Sequence, residues 1–380
     1  MIVPSFRRAP QRIEWTLLHN ELRKNVEDYL SWCAASDSFA ADVRSRALAP
    51  RTVQLRRDQI HAAITALIKS GVEPAAITSL ADLVSPENFK RILRRRHEIV
   101  GGRENMFNHD LAQVLVRIGR EWLKVDASIL VELRQLAGKV LTPMSGLTDK
   151  NKRFLRQFDD PEVLRRLYNL PSRLWDEVKR DRKANRRTLA KAQAALAVAI
   201  LCYMPVRLQN LTALAFDVHL HMHDGACATS SLELAAGEVK NRREVAFDIP
   251  IHVAKMIIEY RDRIAPKIIG HRPERLFVNV DGAPKNQWAV AWLIRTYLRK
   301  RAGITISPHQ FRHLSAKVVL DLEPGNFETP RQMLSHKSLK TTVDAYAGID
   351  SRRAARHHQR LVEEALATET PIHRSKKKAS

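Results

Sequence analysis

The stretch that decides how this chain is read is Ser307–Gly348, SPHQFRHLSAKVVLDLEPGNFETPRQMLSHKSLKTTVDAYAG. Ser307-Pro308 reads as an N-cap followed by a first helical residue: the serine oxygen accepts a free N–H, and proline has the right φ and no N–H to waste. His309 and Arg312 lie three apart on that helix, so an imidazole and a guanidinium project from one face. A second helix is expected from Thr329-Pro330 to Ser335-His336 and is broken at Lys337-Ser338. A third segment carries Thr341, Thr342 and Tyr346. These residue types do phosphate chemistry. Arginine clamps non-bridging oxygens with two parallel hydrogen bonds. Histidine moves protons near neutral pH. Tyrosine is a covalent nucleophile when its environment activates it.

The order His309-x-x-Arg312, Leu334-Ser335-His336, Tyr346 resembles the carboxy-terminal signature of the tyrosine recombinase (phage integrase) family: H-x-x-R, then L-G-H, then a nucleophilic tyrosine. Ser335 stands where the family has glycine. The resemblance implies a mainly α fold with a small antiparallel β-sheet in the C-terminal domain, and a helical, DNA-binding N-terminal bundle ahead of a recombinase-like catalytic domain.

Composition agrees with a polyanionic partner. Lys and Arg number 64 against 41 Asp and Glu, a formal net charge of +23, and nucleic acid is the first candidate. Cys33, Cys202 and Cys227 are odd in number and form no C-x-x-C pair, so neither a disulfide framework nor a zinc ribbon is indicated, which suits a reducing cytoplasm. The N-terminus carries no apolar run of signal-peptide length. The longest apolar stretch, Ala194–Met204, is too short to span a bilayer and reads as a buried helix.

Along the chain, residues 1–12 form a basic extension. From Ile13 the pattern is helical: Trp15, Leu18, Leu22, Val26, Tyr29 and Leu30 recur at three and four. A second helix starts at Arg51-Thr52, with Val53, Ile60, Ile64 and Leu67 on one face, and a later one carries Arg94, Arg95 and Arg96. No strand is expected before residue 140. We read 13–145 as the helical core-binding domain and 146–187 as a helical connection, with the hinge at 141–152 or as late as 182–187. Residues 188–350 read as the catalytic domain and 351–380 as a last helix with a Lys-rich tail. Within the catalytic domain, strands are expected at 219–223, 231–234 and 244–249, and a further short one at 275–280.

Charge develops on several oxygens of a pentacoordinate phosphorane, so one arginine is not enough. Arg207, in Met204-Pro205-Val206-Arg207-Leu208-Gln209-Asn210-Leu211, resembles the first catalytic arginine of the family's T-G-x-R-x-x-E-x-x-x-L segment, with Leu214 as the trailing leucine. Pro205 replaces its glycine, and Asn210 its supporting glutamate. The family also carries a lysine on a β-hairpin. Lys240 is the candidate, with Arg242 or Arg243 taking its place if the hairpin register slips. An ammonium donates a proton more readily than a guanidinium and suits the departing 5′ oxygen.

The resemblance thus implies a catalytic set of Arg207, Lys240, His309, Arg312, His336 and Tyr346. Tyr346 would form a 3′-phosphotyrosine, His309 would act as base or proton relay, the arginines would bind phosphate oxygens, and His336 would donate to the phosphate. Arg94, Arg95, Arg96, Arg242 and Arg243 are expected to contact DNA. The expected partner is double-stranded DNA, with a homo-tetramer on synapsed sites and room for accessory DNA-bending or partner recombinase proteins. No metal, cofactor or membrane is called for. The expected location is the cytoplasm, in association with the nucleoid.

His219, His221 and His223 alternate and would share a strand face; an exposed hairpin is the favoured reading over a metal site. His313 is expected to point off the catalytic face of a regular helix. Two rival functions are a catalytically silent DNA-binding regulator and a type IB topoisomerase-like relaxer. The first is disfavoured because a binder has no use for an exposed tyrosine at 346.

Overall fold

The computed structural model describes residues 12–40, 42–103, 105–140, 146–223, 229–239 and 241–367; beyond 346, side chains are described at 355 and 358–364. The chain divides into two compact units, Met1–Pro143 and Met144–Ser380.

The first unit is helical throughout its described residues. It comprises α1 (Asn20–Ala34), α2 (Pro50–Ile68), α3 (Leu80–Val84), α4 (Pro86–Ile99), α5 (Met106–Arg117) and α6 (Ala127–Gly138). The three-and-four spacing on α1 buries Leu22, Val26, Tyr29 and Leu30 against α2, in one core with Ile60, Ile64 and Leu67 of α2 and Phe89 and Ile92 of α4. Arg56 lies inside this core, where it donates to the Tyr29 hydroxyl at 2.5 Å and to Cys33 Sγ at 3.2 Å. A buried charge is tolerable here because it is hydrogen-bonded. Asp82 closes a capping box on Ser79 that starts α3.

The second unit begins with α7 (Asp149–Arg156) and α8 (Pro161–Arg180). These helices lie in the segment read from sequence as a connection, and they contribute Phe154, Leu155, Leu167, Leu170, Leu174 and Trp175 to this unit's own core. Next come α9 (Arg186–Tyr203) and α10 (Leu208–Ala213). Ala192 through Leu201 are all buried, because α8, α11 (Ile251–Glu259), α13 (Gln287–Ala302) and α14 (Pro308–Leu322) pack around α9. A helix that is apolar all round belongs at the centre of a domain.

The sheet is β1 (Leu220–His221), β2 (Ser231–Leu234) and β3 (Val245–Asp248), antiparallel in that order, with Leu220 opposite Leu232 and Leu232 opposite Phe247. The strand expected at 275–280 is reduced to isolated bridges, Ala215 with Arg275 and Val278 with Pro284. The unit is completed by α12 (Pro266–Ile269), α15 (Glu328–Met333) and α16 (Leu339–Ala367). One helix covers the ground where two were expected, since a single glycine, Gly348, costs only about 1 kcal/mol inside a helix and does not stop it. The basic tail beyond 367 lies outside the described residues.

Candidate active site

The site is assembled on four chain turns of the second unit. The central helix α9 ends at Tyr203, and Met204-Pro205-Val206 leads to Arg207, which caps the start of α10 in an extended conformation. Arg207 is half-buried, and burial lowers its pKa. At the start of α14, the Ser307 N–H donates to Gln310 Oε1 at 2.9 Å, one half of a capping box. One turn on, Arg312 is buried, 6% exposed. Its Nη1 donates to the Pro205 carbonyl at 2.7 Å and its Nη2 to the Leu334 carbonyl. The guanidinium thus ties the segment before Arg207 to the end of α15 and keeps further N–H donors in reserve. Burial brings its pKa down to about 10, and the nearby Arg207 adds to the effect.

The end of α15 explains why a small residue precedes His336. The Ser335 N–H donates to the Gln332 carbonyl at 2.9 Å and the His336 N–H to the Arg331 carbonyl at 2.9 Å. These two bonds are the Schellman closure of a helix, which needs a left-handed residue at the first position past the cap. Ser335 supplies it at φ +50. The turn aims His336 at Thr342, with Nδ1 2.9 Å from a hydroxyl that belongs to a fully buried residue. Burial, then Arg312 and Arg207, hold His336 at a pKa of about 4, so it is neutral at pH 7.

Lys240 lies outside the described residues. Its neighbour Asn241 donates from Nδ2 to the Ser335 carbonyl, which fastens the β2–β3 connection to the same turn. Arg242, at φ +53, and Arg243 are exposed on that connection.

Tyr346 departs from expectation, as does its neighbour. The tyrosine is buried, 1% exposed, where an exposed one was anticipated. His313, expected to face away, sits with Nδ1 2.9 Å from the Tyr346 hydroxyl, and the two rings meet edge-on at 5.8 Å. The reason is that α16 returns across α14, so the face one residue beyond Arg312 is also covered. His309 is exposed, and its ring meets that of His313 edge-on at 5.3 Å. Burial, then the neighbouring His309, Arg312 and His336, lower His313 to a pKa of about 4. Burial also raises the Tyr346 phenol well above the ordinary tyrosine value, with Arg312 opposing. Arg207, Arg312, His309, His313, His336 and Tyr346 therefore form one electrostatically connected cluster. The sequence signal for His313 was its place beside Arg312, but helix periodicity alone could not show what packs on that face.

Asn210 does not reproduce the family glutamate. Its Nδ2 donates to the Glu238 carbonyl at 3.1 Å, supporting the segment just before the hairpin turn. His219 is buried, not on an exposed hairpin. It accepts the Ala215 N–H on Nδ1 at 3.1 Å and donates from Nε2 to Glu238 at 2.8 Å. His221 lies 3.7 Å from Glu233. Strand β1 is only two residues long, so the three histidines share no strand face. Among the described residues, no group of three His, Cys, Asp or Glu is placed to hold a metal ion, and no helix is long and apolar enough to cross a membrane.

In the first unit the three arginines of α4 differ. Arg94 is exposed, and Arg95 pairs with Glu98 at 2.8 Å. Arg96 is half-buried, bonded through Nε to Asn108 at 3.0 Å and stacked 5.1 Å from the Phe107 ring centroid.

No family model matches the chain. It is 31% identical over 86 residues to tyrosine recombinase XerC of Staphylococcus carnosus (strain TM300), a match covering 22% of this chain and 29% of the relative. Among solved structures, a lambda integrase dimer bound to a COC′ core site aligns over 87% of this chain and 79% of its own, at 16% identity and a TM-score of 0.51. A shorter lambda integrase, also a dimer bound to a COC′ core site, aligns over 94% and 99% at 14% identity and a TM-score of 0.50. The fold is that of these lambda integrase structures, and the XerC match spans less than a third of that relative's length.

Proposed function

We propose that this chain is a site-specific DNA recombinase of the integrase type, which cuts and rejoins strands through a 3′-phosphotyrosine at Tyr346. The observation that carries the reading is the convergence of Arg207, Arg312, His336 and Tyr346, drawn from four separate segments, into one cationic cluster on a recombinase fold. Arg312 and His313 act on the buried phenol directly, and Arg207 and His336 are coupled to Arg312, a concentration of perturbed titratable groups that favours a functional site.

In this mechanism the Tyr346 oxygen attacks the phosphodiester. The new O–P bond forms as the bond to the 5′ oxygen breaks. Arg207 and the spare donors of Arg312 bind the non-bridging oxygens, where charge grows in the transition state. Neutral His336 donates one further hydrogen bond. His309 takes the phenol proton, and Lys240 gives one to the departing 5′ oxygen. The ester keeps the bond energy, so a 5′-hydroxyl from a partner strand reverses the step. The buried phenol must first be released, and a phosphate docking on the arginines is a natural trigger, because it competes for their charge.

The first unit is the DNA-gripping domain in this reading, with Arg94 and Arg95 on its basic helix and Arg242 and Arg243 on the catalytic hairpin as phosphate contacts. The working assembly is a tetramer on two synapsed duplexes in the cytoplasm, and no metal or nucleotide takes part. The deciding experiment is covalent trapping on a nicked suicide duplex of the cognate site, or on a supercoiled plasmid pool, with chelator present. A protein–DNA adduct in the wild type and none in Tyr346→Phe supports the proposal. Tight binding without an adduct on a proven site would make the chain a DNA-binding regulator instead.

A further inference from the structure

The Tyr346 hydroxyl stands at the end of a chain of four polar groups whose direction can be read from its far end. A backbone N–H can only donate. The Ser307 N–H donates to Gln310 at 2.9 Å, so the oxygen of that side-chain amide faces the backbone and its nitrogen faces outward. Gln310 Nε2 then donates to Asn151 Oδ1 at 3.2 Å, which orients the second amide. Asn151 Nδ2 reaches His313 Nε2 at 3.4 Å. An amide nitrogen offers only hydrogens, so Nε2 must present its lone pair. In a neutral imidazole the proton is then on Nδ1, the atom 2.9 Å from the Tyr346 hydroxyl.

We propose that His313 is a further catalytic residue of this site, acting as an Nδ1–H donor to the Tyr346 oxygen, with Asn151 and Gln310 as positioning residues that set its tautomer. This inference rests on the strand-transfer reading above for its catalytic consequence, though not for the tautomer itself. A donor on the phenol oxygen stabilises the phenolate as it forms and holds the oxygen in place. It also excludes His313 as the base, because Nδ1 has no free lone pair. The phenol proton must leave by another route, and His309, edge-on to His313, is the acceptor assigned to it above. Beside the Tyr346 phenol, the charged and titratable groups acting on His313 are His309, Arg312 and His336, and these three oppose its protonation. His313 therefore stays neutral through the working pH range and keeps a definite tautomer.

Ring-nitrogen NMR on the intact protein, uniformly 15N-labelled at histidine, tests the assignment directly. The His313 signals are identified by their loss in His313→Gln. The expected result is a proton on Nδ1 in the wild type, moved to Nε2 in Asn151→Asp, whose carboxylate can only accept. A wild-type proton on Nε2, or a tautomer unchanged in Asn151→Asp, would overturn the proposal. Asn151 is half-buried on the short helix α7, so its replacement should leave the fold intact, and the remaining histidine signals report whether it does. In adduct formation, His313→Leu should be slower by roughly 100-fold, while His313→Gln, which keeps an N–H donor, should recover most of that loss. Equal rates for Leu and Gln would also count against the donor role. An adduct missing from the wild type would sink the strand-transfer reading and leave the tautomer result standing. A proton on Nε2 with a normal adduct would do the reverse.

Discussion

Replacing Ser335 by glycine should stabilise this protein, although it deletes a side chain next to the proposed active site. Ser335 occupies the left-handed position of the Schellman closure at φ +50. A residue with a Cβ is strained there by about 1–2 kcal/mol. Glycine has no such strain but loses about 0.5–1 kcal/mol more backbone entropy on folding. Among the described residues the hydroxyl makes no hydrogen bond that the change would remove. The contacts of this residue, to Gln332 and Asn241, are made by its backbone and survive the change. The net gain should be about 0.5–1 kcal/mol. For a unit of this size that is a rise of about 1–4 °C in the midpoint of its thermal transition. Differential scanning calorimetry of the wild type, Ser335→Gly and Ser335→Val reads it. The valine variant should fall by at least as much as glycine rises, because a β-branched side chain is least tolerant of positive φ. A glycine variant that melts at or below the wild type would refute the account of Ser335 as a strained cap.

Further expectations follow from the same contacts. Arg312→Ala should cost about 2–4 kcal/mol in urea unfolding, because the Pro205 and Leu334 carbonyls lose their donor, whereas Arg207→Ala should abolish the DNA adduct with little loss of stability. Equal destabilisation by the two would contradict the division of labour. His313 titrates near 4 when folded and near 6.5 when unfolded, so the unfolded chain gains a proton first as pH falls. The stability this residue contributes is complete above pH 6.5 and lost between 6.5 and 4. After allowance for partial solvent access, it amounts to roughly 2 kcal/mol. The pH dependence of unfolding should be shallower in His313→Gln over that window, and an identical curve would refute the shift. Tyr346→Phe should destabilise by about 1 kcal/mol in the absence of DNA, since the hydrogen bond between His313 Nδ1 and the phenol is lost. No change in urea midpoint would argue that the pair does not form in solution.

Much of the fold was legible because local spacing carries it. The three-and-four pattern through Leu22, Val26, Tyr29 and Leu30, the apolar run 189–204 and the polar connection between β2 and β3 gave helix, central helix and hairpin, although the helix read from Ile13 begins only at Asn20, after a single turn at Trp15–Leu17. Other features depended on partners that sequence spacing does not reveal. The segment 146–187 looked like a connection because it is highly charged, yet its apolar stripe from Phe154 to Val178 packs into the second unit. The histidines at 219–223 looked like a strand face, but His219 is drawn inward by Ala215 and Glu238.

The sequence by itself supplied the candidates for the proposed site, Arg207, His309, Arg312, His336 and Tyr346 in order, together with the helix caps that precede them, because capping and periodicity are short-range. Only the tertiary structure decided their roles relative to one another. Arg312 is a strut between two carbonyls as well as a cation, Tyr346 is covered, and His313 lies between its hydroxyl and Asn151, 162 positions away in the chain. Hydrogen-bond direction is a property of a network closed in space, and the elements that close this one meet only once α7, α14 and α16 are packed.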